Sequence, residues 1–169
     1  MSGPIKVAVA GYRGKVGSIL VSALAGESDM DYVGGVGQGD DLGKFLRERR
    51  PQALVDFTRP DVALHNALAA VAAGAAPVIG TTGITPEGVD RIEAACKDKR
   101  VGGIVAPNFA IGAVLMMHLA DIAAPHFDGA EVIEMHQAAK RDAPSGTALA
   151  TARRLAARRG SKPFSHNKA

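Results

Sequence analysis

Apolar positions along the chain fall into two patterns, short unbroken runs and longer stretches with helical spacing. Ile5–Ala10, IKVAVA, is a nearly continuous apolar run, and after it Val16, Ile19, Leu20, Val21 and Leu24 recur with helical period up to Gly26. Short runs of this kind fit strands buried on both faces, and the spaced pattern fits amphipathic helices. The alternation repeats. Tyr32-Val33 predicts a short second strand entering a glycine-rich edge at Gly34, Gly35, Gly37 and Gly39, with a weak helix around Leu42–Arg47. Ala53–Asp56 predicts a third strand, with Pro60 opening a helix over 61–73. Pro77–Ile79 and Val101–Val105 predict two more strands, separated by a helix from Pro86 to about Lys97, and Ile111–Ala124 is strongly helical.

Strands alternating with helices predict an α/β domain over residues 1–127, a Rossmann-like parallel sheet with helices on both faces. Right-handed crossovers gather the strands' carboxyl ends on one rim, where ligands bind near a reversal of strand order. The pattern then restarts with a predicted strand at Ala130–Met135 and a helix from about Thr147 to Arg159. One strand and one helix cannot close a core of their own, so residues 128–160 read as the beginning of a second α+β domain, a partial substrate-binding and catalytic segment. Residues 161–169 predict a disordered tail.

Composition narrows the partners. Trp is absent and aromatics make up 4% of the chain, a poor supply for stacking single-stranded nucleic acid. The net charge of +3 is uneven: residues 1–142 carry 14 basic and 17 acidic side chains, residues 143–169 six basic and none acidic. A basic end can meet phosphate or anionic lipid, but a solvated face explains it more simply, so neither nucleic acid nor membrane is expected. The single cysteine, Cys96, forbids an internal disulfide and fits a reducing compartment. Strand-like residues begin at Ile5 with no basic-then-apolar leader, and no apolar run approaches the roughly 20 residues of a membrane helix. The expected location is cytoplasmic.

Gly11, Gly14 and Gly17 form G-x-x-G-x-x-G between the first strand and its helix, one residue longer than the common dinucleotide fingerprint. Such a turn lets a pyrophosphate approach main-chain N–H groups at a helix N-terminus, and the same glycines also serve as a plain structural turn. The carboxylate usually found just past the second strand is missing; Val36-Gly37 stand there and Asp40-Asp41 come later. Arg13 and Lys15 lie in the turn and suit a 2′-phosphate or the pyrophosphate, which favours NADPH or dual use over strict NADH; solvated surface charge is the other account of both. Phe57-Thr58, Gly80-Thr81-Thr82-Gly83 and Ala106-Pro107-Asn108-Phe109 each follow a strand and mix small residues with hydroxyl or amide groups suited to a nicotinamide carboxamide.

The stretch EVIEMHQAAKRDAPSGT, residues 131–147, holds a second constellation. His136 can deliver a proton near neutral pH, and Lys140, four positions on, can neutralise a carboxylate. Ser145, Gly146 and Thr147 precede a helix, where Ser145 or Thr147 can cap it while N–H groups face an anion. A satisfied strand-end histidine and a plain capped turn are the structural alternatives. His65, His118, His126 and His166 have no metal-ligand spacing, and no metal site is expected.

GYRGKVG, DFTRPD, VIGTTG, APNFAIGAVLMM and EVIEMHQAAKRDAPSGTA, in this order, resemble the 4-hydroxy-tetrahydrodipicolinate reductase (dihydrodipicolinate reductase) family over nearly all of the first 160 residues. The resemblance implies an NADH- or NADPH-dependent oxidoreductase of lysine and diaminopimelate biosynthesis, a homo-tetramer of two-domain subunits acting on a small anionic dicarboxylate. It makes His136 the general acid. Lys140 and the Ser145-Gly146-Thr147 turn become carboxylate ligands, and Gly11, Arg13, Lys15, Val16, Gly80, Thr82, Ala106 and Phe109 line the cofactor. The family usually carries two adjacent histidines where this chain has His136-Gln137; Gln137 can donate a hydrogen bond but cannot become cationic. Family members also continue well past this length, and SKPFSHNKA does not resemble their continuation, so weak or absent activity of the isolated chain is expected. A non-catalytic nicotinamide-nucleotide-binding or subunit-interaction module is the alternative reading.

Overall fold

A computed structural model describes residues 3–106, 108–136, 144–160, 162 and 164. The strands are β1 (Ile5–Ala10), β2 (Met30–Val36), β3 (Ala53–Asp56), β4 (Ala76–Ile79) and β5 (Ile104–Val105). The helices are α1 (Lys15–Leu24), α2 (Leu42–Arg49), α3 (Pro60–Ala72), α4 (Pro86–Lys99), α5 (Ile111–Ala123) and α6 (Gly146–Arg159), with a 3-10 turn at Ala124–His126.

The five strands form one parallel sheet in the order β2-β1-β3-β4-β5. Strand order therefore reverses between β1 and β3, and the crevice outside their carboxyl ends is the topological switch point. β1 shows why both faces are apolar. Val7 and Val9 pack with Val21 and Leu24 of α1, while Ala8 and Ala10 pack with Leu54, Val36 and Ala70 on the opposite face. Ala63 and Ala67 of α3 are fully buried with Ile79 and Ile92, and their small side chains let α3 and α4 lie close together. Each fully buried Val, Leu or Ile contributes roughly 1.5–3 kcal/mol, so these clusters fix the rim from which the loops emerge.

β2 runs longer than its two apolar residues predict because Gly34 and Gly35 belong to it. Its register against β1 shifts between Val7 and Ala8, where Gly34 takes a positive φ of 124°. A Cβ on Gly35 would meet Tyr12 Cβ at 2.6 Å, so the strand needs glycine where the turn after β1 packs onto it. β5 is shorter than predicted: Val101, Gly102 and Gly103 stay outside it, and glycine weakens a strand by leaving nothing to pack.

Residues divide into two compact units, Met1–Ala106 and Pro107–Ala169. The division precedes the expected end of the first domain at 127, because α5 packs with α6 and the 3-10 turn inside the second unit. Arg154 Nε donates to buried Asp121 Oδ2 at 2.9 Å, and Arg159 Nη1 donates to the carbonyl of Phe127 at 2.6 Å. The predicted strand at Ala130–Met135 is not formed: residues 127–136 carry no regular structure. A strand exists by pairing; no ladder is assigned to this segment, and Val132, Ile133 and Met135 are exposed. The predicted tail falls mostly outside the described residues. Among the described residues no helix is long and apolar enough to cross a membrane.

Candidate functional site

At the switch point the chain leaves β1 through Gly11, whose φ of +80° suits glycine, and Gly11 N–H donates to the Val36 carbonyl at 2.8 Å. Gly14 N–H returns to the Gly11 carbonyl at 2.8 Å and Gly14 becomes the N-cap of α1. A Cβ on Gly17 would lie 2.1 Å from Gly11 O, so helix and turn touch backbone to backbone. No side chain caps α1, unlike α2, where Asp41 Oδ1 accepts from Lys44 N–H, or α4, where Thr85 Oγ1 accepts from Gly88 N–H. First-turn N–H groups have no carbonyl within their own helix, which makes the head of α1 suited to a diffuse anion.

Two hollows flank this turn. The larger, about 750 Å³, is lined by Gly11, Arg13, Gly14, the Gly37–Asp41 loop, Phe57, Thr58 and residues of α3. The smaller, about 430 Å³, is lined by Gly14, Lys15, Val16, Phe57, Thr58, Pro60, Gly80, Thr81 and Thr82. Gly14, Phe57 and Thr58 belong to both, so the hollows are two lobes of one groove meeting at the glycine turn. The Phe57 ring lies on Gly80, where a Cβ would sit 2.2 Å from ring carbon Cε1. Gly17 lines neither lobe and is a packing glycine. Ala106 N–H donates to the Ile79 carbonyl at 3.0 Å and extends the sheet.

A side chain that the sequence pattern does not flag holds the groove's two loops together. Asp56, at the carboxyl end of β3, is fully buried. Its Oδ1 accepts from Thr58 N–H at 2.9 Å, Thr58 Oγ1 at 2.7 Å and Thr81 Oγ1 at 2.7 Å, and its Oδ2 from Asn66 Nδ2 at 2.8 Å. Thr58 N–H also donates to Thr81 Oγ1 at 2.8 Å. Asp56 thus joins the β3 and β4 loops to α3. The available signal was an acidic residue ending an otherwise apolar buried strand, which is costly unless fully hydrogen-bonded.

The larger lobe also contains an acidic side chain from the loop after β2. Asp40 Oδ2 accepts from Gly37 N–H at 2.8 Å, which folds an acidic group back to the end of β2 from three positions on. Arg13 lies over the Tyr12 ring, 4.7 Å from its centroid, and shares this lobe with Asp40, while Lys15 lines the other lobe. Burial pushes the Cys96 thiol above its ordinary value, which favours the protonated thiol over the thiolate. His65 lines the larger lobe, and His118 is exposed on α5. Among the described residues no three His, Cys, Asp or Glu side chains gather as metal ligands.

In the second unit Ser145 is the N-cap of α6, its Oγ accepting from Ala148 N–H at 3.1 Å. Ser145 N–H donates to both oxygens of Glu134, at 2.8 and 3.0 Å, and Glu134 Oε2 lies 3.6 Å from His136 Nδ1. Sequence reasoning passed over Glu134 because its partner in the turn lies 11 residues away. Gly146 and Thr147 open the helix, so their N–H groups precede any carbonyl α6 can offer. Asn108 Oδ1 accepts from Ala110 N–H at 2.8 Å at the head of α5, and its Nδ2 reaches Thr147 Oγ1 at 3.5 Å. Asn108 and Phe109 therefore belong to the second unit with His136, Ser145, Gly146 and Thr147. Gln137 and Lys140 lie outside the described residues.

Comparison with known proteins gives a consistent result over almost the whole chain. Residues 5–109 match the family model described as dihydrodipicolinate reductase, N-terminus, and residues 112–168 match that of the C-terminus. The 4-hydroxy-tetrahydrodipicolinate reductase of Coxiella burnetii is 44% identical over 158 residues, covering 94% of this chain and 66% of that protein. That of Mycolicibacterium smegmatis is 45% identical over 161 residues, covering 94% and 65%. The solved dipicolinate-bound dihydrodipicolinate reductase of Paenisporosarcina sp. TG-14 superposes with a TM-score of 0.80 at 34% identity, covering 98% of this chain and 71% of that one. The chain thus spans about two thirds of the length of the curated relatives it matches.

Proposed function

The chain belongs to the dihydrodipicolinate reductase family, and on that premise we propose that it reduces 4-hydroxy-tetrahydrodipicolinate to tetrahydrodipicolinate with NADPH or NADH. The observation that carries this reading is the two-lobed groove meeting at an uncapped helix head. A dinucleotide has two nucleoside halves joined by a pyrophosphate, and the groove has two lobes joined at exposed backbone N–H groups.

The residues present fit that group. Gly11, Gly14 and the first turn of α1 would face the pyrophosphate, and a Cβ on Gly11 would meet the Phe57 carbonyl at 2.8 Å and crowd the crossing. Arg13 and Asp40, in one lobe, suit a ribose phosphate and a ribose diol respectively, which supports use of both cofactors. Lys15, Val16, Phe57, Gly80, Thr81 and Thr82 would border the other nucleoside half. When bound, reduced nicotinamide supplies the hydride. His136 would give its Nε2 proton to the substrate carbon where negative charge develops. The N-terminal end of α6, opened by Gly146 and Thr147, would attract a substrate carboxylate, aided by Lys140 and Gln137 as the family pattern implies. Ser145 has its hydroxyl and N–H turned inward and would shape that turn. Ala106, Asn108 and Phe109 keep their family role of flanking the cofactor in this reading. A cytoplasmic homo-oligomer, tetrameric as in the family, completes it.

The test is fluorescence titration with NADPH and NADH, followed by loss of reduced-nicotinamide absorbance on adding freshly generated substrate. Both cofactors are expected to bind, and the added substrate is expected to consume the reduced nicotinamide. Saturable cofactor binding with no turnover would favour a nucleotide-binding module, and absence of binding would defeat both.

A further inference from the structure

We propose that Glu134 is a positioning residue that ties the proton donor His136 to the anion-binding turn at the head of α6; this rests on the reading of His136 as general acid. In a capping box, the N-cap hydroxyl accepts from the N–H three residues on, and a Glu or Gln at that third position returns to the N-cap N–H. Here Ser145 Oγ accepts from Ala148 N–H, but the third position is alanine and has nothing to return. Glu134 supplies the missing half from outside the helix, with both oxygens on Ser145 N–H at 2.8 and 3.0 Å. Its side chain is only 25% exposed, and Ser145 is buried, so this bond is shielded from water.

The same carboxylate faces His136. Its Oε2 is 3.6 Å from Nδ1, within ion-pair range, and catalytic contacts of this kind are often long without substrate and tighten with it. The described backbone leading up to His136, residues 127–136, has no ladder to hold it, so side-chain contacts help to orient the ring. A carboxylate beside Nδ1 selects the form with hydrogen on Nδ1 and turns Nε2 towards the substrate. When the Nε2 proton passes to the substrate carbon, the neutral Nδ1–H ring remains, still held, ready to take a new proton from water at Nε2. One carboxylate therefore sets the direction of the acid and the shape of the turn that grips the substrate.

The experiment uses the full chain, with and without Glu134→Gln, labelled with ¹⁵N-histidine. Long-range ¹H–¹⁵N correlation is expected to find the neutral His136 ring protonated on Nδ1. In Glu134→Gln the amide oxygen keeps Ser145 N–H while its NH₂ faces Nδ1, which inverts the ring to the Nε2–H form. Circular dichroism should be unchanged, kcat should fall about 10–100-fold, and KM for the dicarboxylate should move by less than about threefold. A purely structural role would instead move KM or thermal stability and leave the tautomer alone. A wild-type ring protonated on Nε2, or a tautomer indifferent to Glu134→Gln, overturns the proposal. Absence of turnover in the wild-type chain counts against the reductase reading alone, because the tautomer is read without it.

Discussion

The two units hold their candidate residues by different means. Around the groove, backbone does most of the work: the Gly11 turn hangs from sheet and helix hydrogen bonds, and its close contacts are backbone on backbone. Around His136, residues 130–136 have no ladder, and the order comes from side chains meeting backbone, namely Glu134 on Ser145, Ser145 on Ala148 and Asn108 on Ala110. Geometry dictated by the backbone tolerates little change at any point. Geometry built from side-chain contacts can be dismantled one bond at a time.

Gly17→Ala should break the first region most severely. Its Cβ would lie 2.1 Å from Gly11 O and 2.8 Å from Tyr12 Cα, and neither atom can move without the turn. Cofactor titration should find no binding, and urea denaturation a loss of about 3 kcal/mol, the upper range for overpacking. Gly14→Ala makes the informative contrast, because its nearest approach is a looser 3.2 Å to the same oxygen. It should weaken binding with a far smaller stability change. Equal effects of the two would mean that the turn is not backbone-limited.

Asp56→Ala comes next and tests whether side chains also matter in the first unit. The hydroxyls of Thr58 and Thr81 and the amide of Asn66 would lose their shared acceptor. Unsatisfied buried groups make a cost of about 2–3 kcal/mol reasonable, read by urea denaturation. The β3 and β4 loops should loosen together, weakening cofactor affinity about tenfold, or about 1.4 kcal/mol. Unchanged affinity would show that strand ends alone set the loops.

The smallest effect is expected from Ser145→Ala in the second unit. It deletes the cap of α6 but keeps the N–H that Glu134 grips. A cost of about 1 kcal/mol should appear as faster amide exchange in the first turn of α6, with the sheet amides unaffected. Faster exchange throughout the sheet would deny the units their separate stabilities.

Among the described residues, the α/β alternation, all five strand positions of the sheet and the six helices were legible because burial repeats with period along the chain, and that periodicity needs no knowledge of contacts. The expected strand at Ala130–Met135 failed for the complementary reason: period predicts which face is apolar, and a strand also needs a neighbour. The glycine turn, and a helix cap at either Ser145 or Thr147, were readable as local chemistry within a few residues; the structure chose Ser145. The carboxylate of Asp40 reaches back three residues to Gly37 N–H, a contact that its place after the second strand does not announce.

What sequence by itself determined, then, is everything carried by local spacing: the element order, the glycine turn after β1, the capped helix after Pro144, and the family motifs. Only tertiary structure decided that Asp56, Thr58, Thr81 and Asn66 form one network, and that Glu134 completes a cap 11 residues downstream. The reason is physical. A hydrogen bond depends on distances of about 3 Å between atoms, and spacing along the chain constrains such distances only within a turn or two.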